Sequence, residues 1–215
     1  MPDDKSHTDL TPKTREILEK AKVVFAEKGF DGASMQDLAR ATGMSAGNFY
    51  RYFPSKNAIV EAITETKLAE IEAYFVEIIH AEDPRTAFRD CLRERFRNFD
   101  KDTDGAIWSE IEASAARRPE LAEIAVRMRN RMTGYILRAF AHIAGISEIE
   151  ARKRFVAHAA MVILLVKGTA VNACAMSHMD FEREAFEVLA LHVIDHILNE
   201  ITGAVPPLHD EIVRT

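Results

Sequence analysis

Residues 43 to 56, GMSAGNFYRYFPSK, put four aromatics (Phe49, Tyr50, Tyr52 and Phe53) into five positions, with Gly43, Gly47, Asn48, Arg51 and Lys56 around them. The chemistry on offer is recognition rather than bond making. An asparagine pairs bidentately with the edge of adenine, and an arginine reaches guanine or a phosphate. Tyrosine hydroxyls suit phosphate oxygens while their rings pack sideways. Lys56 opens a following helix, where the helix N-terminus already favours an anion. A glycine inside a helix costs about 1 kcal/mol relative to alanine. Gly47 therefore fits a place where the backbone comes close to another molecule.

Other chemistry finds less support. His192 and His196 lie one helical turn apart with Asp195 beside them, a spacing able to hold zinc. Two imidazoles alone are too few, and Val193 stands where a zinc protease would need its glutamate. No phosphate loop, dinucleotide fingerprint, nucleophile elbow or paired catalytic carboxylates occur. The expectation is a protein that is not an enzyme, with no cofactor and no metal. Cys91 and Cys174 are too few for a disulfide framework and read as buried thiols in a reducing compartment.

The elements that position these residues are helices. The chain has 215 residues, 47% apolar and 29% charged, with only nine glycines and seven prolines, which excludes wholesale disorder and a many-turned β fold. Thr11-Pro12 caps a first helix with Ile17, Leu18, Ala21, Val24 and Phe25 on one face, stopped at Gly29-Phe30. Ser34 with Asp37 caps a second, expected to bury Leu38 and Ala41 before Gly43, with Met44 closing over its end. Ser45 caps a third that ends near Phe53 because Pro54 follows. Ser55 opens a fourth, reaching about His80. Further helices start at Asp83-Pro84, Asp104 and Pro119, the last ending at Gly145. Ser147 with Glu150 caps one of about thirty residues, and Asp180 to Thr202 forms the last. The fold class is all-α with about nine helices.

Helices two and three on a tight turn, propped by the first, have the layout of a helix-turn-helix over about 34–53. A helical wheel puts Ala46, Phe49 and Phe53 on the inward arc. Gly47, Asn48 and Arg51 fall on the outward arc, bordered by Tyr50 and Tyr52. Residues 1–56 carry nine Lys and Arg against eight Asp and Glu, on a chain whose net charge is −6. A near-neutral head on an acidic body is compatible with a local phosphate-binding face.

REILEKAKVVFAEKGFDGASMQDLARATGMSAGNFYRYFPSK strongly resembles the N-terminal domain of TetR-type (TetR/AcrR) transcriptional regulators. Matching positions include Ile17, Ala21, Phe25, Gly29, Phe30, Ser34, Leu38, Ala39, Gly43, Ser45, Gly47, Tyr50, Phe53 and Lys56. Asn57, Ala58 and Ile59 depart from the usual acidic residue and leucine after the lysine, which concerns the packing of the fourth helix. The resemblance implies a DNA-binding domain over 1–54 and an effector-binding and dimerisation domain over 55–215. It implies DNA contacts from Ser34, Met35, Gln36, Ser45, Ala46, Gly47, Asn48, Tyr50, Tyr52 and Lys56; Arg51 comes from the wheel.

The family binds a palindromic operator on double-stranded DNA as a homodimer, usually as a repressor released by a small molecule. The dimer also has support in the residues. The helix over Phe155–Met176 is apolar on nearly every side, and the last adds Phe186, Leu189, Val193, Ile194 and Ile197. Phe96, Phe99, Trp108, Met128, Met132, Tyr135 and Met161 are candidate walls of an effector pocket. IWSEIEASAARRPELAEI is similar to the matching segment of several TetR-type regulators but names no ligand; the acidic body favours a cationic or neutral apolar one. The competing expectation is a DNA-binding scaffold governed by a protein partner. The N-terminus lacks an apolar core, and FVAHAAMVILLV is shorter than the roughly 20 residues of a membrane span, so a cytoplasmic protein is expected.

Overall fold

The computed structural model describes residues 11–98, 105–172 and 182–204. These form ten helices and no strand: α1 (Pro12–Gly32), α2 (Met35–Ala41), α3 (Ala46–Tyr52), α4 (Lys56–His80), α5 (Pro84–Arg97), α6 (Gly105–Ala115), α7 (Pro119–Ala144), α8 (Glu148–Arg154), α9 (Val156–Val171) and α10 (Arg183–Ile201). The expectations for Phe99, Asp104 and Cys174 lie outside the described residues.

The local signals act as their chemistry dictates. The Thr11 side chain accepts the Thr14 amide with Pro12 behind it, Asp83 accepts the amides of Arg85 and Thr86, and Ser147 accepts that of Glu150. At Gly43 (φ 69) the Gly43 amide reaches Arg40 and the Met44 amide reaches Ala39, closing α2 with a six-residue cap. Met44 packs partly buried against the core, as expected.

One long helix was expected from Ser147 to about Met176. Instead the chain breaks at Phe155 (φ −120, ψ 15), and α8 meets α9 with a 75° bend. No proline or glycine marks the place. Phe155 is buried, edge-on to Phe140 at 6.5 Å and to His158 at 5.4 Å, so packing of this ring overrides helix continuity. Among the described residues no single helix is long and apolar enough to cross a membrane.

Two compact units divide the chain, one reaching Thr66 and including Ala106–Ala125, the other Lys67–Gly105 with the residues from Val126. The first compact unit thus takes in the start of α4, past the expected division at 54/55, together with a segment forty residues further along. That unit centres on Ile17, Phe25, Leu38, Phe49, Ile59, Ile63, Ile107 and Leu121. In the second, rings run Phe75–Phe88 (6.2 Å), Phe88–Phe140 (5.5 Å) and Phe140–Phe155, beside Ile194 and Leu198.

Polar pairs fix α5 against α10 in antiparallel register. Arg85 donates to Asn199 Oδ1 at 2.7 Å, Arg89 grips Asp195 through Nε and Nη2 at 2.6 and 2.9 Å, and Arg97 does the same to Glu187 at 3.2 and 2.9 Å. Asp195, the residue beside the two histidines, is thus committed to Arg89. His196 faces Glu200 Oε1 at 2.9 Å, and His158 meets Glu200 Oε2 at 2.6 Å. Cys91 packs half-buried against this core, and burial pushes its thiol pKa up.

Phe140 is wholly buried between Phe88 and Phe155. Its replacement by alanine should lower unfolding free energy by about 3–5 kcal/mol, read from urea titration monitored by circular dichroism.

Candidate nucleic-acid interface

Alpha3 has seven residues, too few to persist alone, because one turn of helix costs more conformational freedom than its first hydrogen bonds return. It is held from behind. Phe49 is 0% exposed and Phe53 6%, their rings 6.3 Å apart within the first unit's core. At its start the Ser45 hydroxyl accepts the Asn48 amide at 3.4 Å.

With Phe49 turned inward, Gly47, Asn48, Tyr50, Arg51 and Tyr52 are all exposed, as the wheel predicts. Tyr50 and Tyr52 stand 49% and 40% exposed, high for tyrosine rings. A Cβ built on Gly47 would meet nothing within 4 Å. The protein's own packing therefore does not require glycine there. Two alanines differ from expectation. Ala46 is exposed rather than inward, and in α2 the buried small residue is Ala39 while Ala41 faces out. A seven-residue helix meets its core along a stripe too narrow for the arc drawn on the wheel.

Ser34 and Asp37 form the expected reciprocal cap: the Asp37 amide donates to Ser34 Oγ at 3.1 Å, and the Ser34 amide to Asp37 Oδ2 at 3.0 Å. Lys28 adds a 2.7 Å contact to Asp37 Oδ1. The hydrogen bond from Lys28, then those from Ser34, hold the Asp37 carboxyl well below the usual carboxylate range. The Ser34 hydroxyl is thus engaged within the cap, Met35 packs partly against the core, and Gln36 is exposed.

Lys56 is placed differently from a lone phosphate ligand. Its ammonium donates to the Phe30 carbonyl at 2.5 Å, sits 3.5 Å from the Asp31 carbonyl, and lies 4.6 Å from the centre of the Phe30 ring. Burial lowers its pKa from the ordinary lysine value, with Asp31 opposing that effect. Arg40 escaped the sequence reading. Its side chain is 79% exposed, with one guanidinium nitrogen 3.8 Å from Asp37 Oδ1, one turn beyond Gln36 on the same side of α2. The i, i+4 spacing from Gln36 was the available signal.

The candidate pocket residues do not share one setting. Trp108 packs in the first unit, whereas Phe96, Met132 and Tyr135 belong to the second. Tyr135 is buried, donates to Glu72 Oε2 at 2.8 Å, and accepts from Arg131 at 3.1 Å. Met128 is partly buried, and Met161, expected as an interior wall, is 46% exposed. The candidate dimer residues divide too. Ile194 and Ile197 are core of their own unit, and Phe186 packs edge-on to Phe96 at 6.4 Å. Leu189 and Val193 are 65% and 41% exposed.

A short helix held by one buried ring, with an outward face of glycine, asparagine and arginine after a glycine turn, is the layout of a recognition helix. Residues 17–63 match the family described as bacterial regulatory proteins, tetR family, and residues 84–199, over half the chain, match the BetI-type transcriptional repressor C-terminal family. The chain belongs to the TetR family of helix-turn-helix transcriptional regulators.

Among TetR-family relatives, the regulator UidR of Escherichia coli is 28% identical over 135 residues, 62% of this chain and 67% of its own. The uncharacterized regulator YuxN of Bacillus subtilis is 27% identical over 143 residues, 63% of this chain and 47% of its own, so the chain spans about half of that relative. The solved structure of GusR from Salmonella enterica shares the fold, with a TM-score of 0.69 at 22% identity over 89% of this chain and 98% of that one. These relatives are transcriptional regulators, not enzymes.

Because Asp37 titrates lower when folded than unfolded, its contribution to stability is present above the ordinary carboxylate pKa and is lost as pH falls through the depressed native value. Asp37→Asn should lower the thermal midpoint at pH 7. The gap to wild type should close as pH falls from about 4 downward, measured by circular dichroism melts.

Proposed function

We propose that this regulator reads a palindromic operator through α3, as a homodimer, acting as a repressor that a small molecule releases. The observation that carries this reading is the outward face of α3, where Gly47, Asn48 and Arg51 lie open beside two exposed tyrosines. In a major groove Asn48 pairs with adenine and Arg51 with guanine, while Gly47 lets the helix backbone sit close to the bases. Tyr50, Tyr52, Ser45, Ala46 and Gln36 border that face and approach the phosphates. Arg40, a cation the sequence reading missed, adds a phosphate contact. Lys56 serves the backbone through the one remaining proton of an ammonium already anchored on the Phe30 and Asp31 carbonyls.

The homodimer is supported by apolar surface on α9 and α10, two helices that pack on each other. Met161 and Leu164 on α9, and Val188, Leu189 and Val193 on α10, are between 41% and 65% exposed. Covering the exposed part of each such side chain stabilises by about 1 kcal/mol. A second copy satisfies all of them by symmetry and brings two reading units to half-sites about one DNA turn apart. An effector held among the helices of the second unit then lowers operator affinity by favouring states in which the half-site spacing is missed.

Asn48→Ala should cost about 1–3 kcal/mol on the preferred operator and relax preference at one base pair, whereas Arg40→Ala should weaken binding to all sequences and lower the salt slope by about one unit. Fluorescence anisotropy on matched and mismatched duplexes checks both. Unchanged affinity in both variants would remove α3 and α2 from the interface. Paired Leu189→Glu and Val193→Glu changes should give folded monomers with weak operator binding in analytical ultracentrifugation. Ile194→Glu should instead unfold the chain, because Ile194 is wholly buried within its own unit.

A further inference from the structure

Phe30 and Asp31 lie past the point where Gly29 (φ 73) interrupts α1, four residues before α2 begins. Nearly every polar handle of this two-residue turn is held by a side chain distant in sequence. The Phe30 amide donates to Glu110 Oε1 at 2.7 Å, and the same oxygen accepts the buried Ser114 hydroxyl at 2.9 Å. The Phe30 carbonyl takes Lys56. The Asp31 carboxylate accepts Arg118 Nε at 2.8 Å and a second Arg118 nitrogen, with Arg117 3.9 Å away. The Arg118 guanidinium also lies 5.4 Å from the centre of the buried Phe30 ring.

Gly29 completes the arrangement through its positive φ, which other residues rarely adopt; a Cβ there would only touch Glu110 Oε1, at 3.4 Å. The carboxylate of α6 holds the turn through the Phe30 amide. Its far end leads through Ala33, whose amide returns to the Gly29 carbonyl, into the Ser34 cap of α2.

We infer that Glu110 and Arg118 are positioning residues for DNA recognition: α6 and the start of α7 hold the Phe30–Asp31 turn and so fix where α2 begins and how it presents α3. This rests on the reading of α3 as the DNA-contacting helix. It gives residues 106–125, far along the chain from the helix-turn-helix, a direct part in operator affinity without contact to DNA.

The test compares Glu110→Ala, Glu110→Gln and Arg118→Ala in the full-length protein. Glutamine keeps an oxygen that accepts the Phe30 amide and the Ser114 hydroxyl, so it should restore what alanine removes. Glu110→Ala should bind a selected operator about tenfold more weakly, with Glu110→Gln within about twofold of wild type. Hydrogen exchange without DNA should show faster exchange at Phe30 and along α2 in Glu110→Ala, and unchanged exchange in α5. If Glu110→Ala does not fold, Arg118→Ala, at an exposed side chain, should show the same two effects more weakly. Unchanged exchange along α2 overturns the inference, as does faster exchange with undiminished operator affinity. Failure of the wild-type protein to select any DNA, with the exchange response intact, overturns the reading of α3 and with it the link to recognition, while leaving the clamp on α2 visible.

Discussion

The burial of Phe49 is the constraint on which the proposed DNA-reading face depends. A seven-residue helix has almost no stability of its own, so its orientation is whatever its single buried ring dictates. With Phe49 sealed in the core and Phe53 beside it, Gly47, Asn48 and Arg51 have only one direction left. The same economy explains α2, equally short, which relies on the Ser34–Asp37 cap at one end and the Gly43 turn at the other. Neither helix could hold a reading geometry if the core behind them were loosened.

That core is assembled from distant parts of the chain. Ile107, Ile111, Leu121 and Ile124 pack with Ile17, Phe25 and Phe49, so the first unit is finished only when residues 106–125 have joined it. The second unit is built on different physics, an aromatic run beside a ladder of arginine pairs that sets the register of α5 on α10. The α10 carboxylates Glu187 and Asp195 are taken up by arginines of α5, while Leu189 and Val193 on α10 and Met161 and Leu164 on α9 are left uncovered. These uncovered side chains are what the proposed symmetric partner would cover.

Local chemistry was legible in the sequence. Thr11-Pro12, Ser34 with Asp37, Ser45, Asp83-Pro84 and Ser147 each start a helix where a capping side chain predicts one, and Gly43 and Gly145 stop helices with φ near 65°. The inward places of Phe49 and Phe53 were legible because large rings outweigh every competitor on a short wheel. Features set by distant partners were not. The break at Phe155 carries no local marker and arises from packing on Phe140. Lys56 reads as a free ammonium until the Phe30 carbonyl that anchors it is seen beneath it. Ile194 and Val193 are neighbours of similar apolarity, yet one is core and the other surface, a difference decided by the helices packed against α10. The same limit applies to Glu110, one more exposed-looking glutamate on a helix until its contact eighty residues away is known.

The most direct measurement of the central claim is selection of bound sequences from a pool of randomised duplex DNA by the purified full-length protein. A homodimer reading through α3 should select a dyad-symmetric consensus whose half-site centres lie about one helical turn, or a multiple of it, apart. A bound pool no more ordered than the starting pool, at salt concentrations where non-specific binding is suppressed, would contradict it.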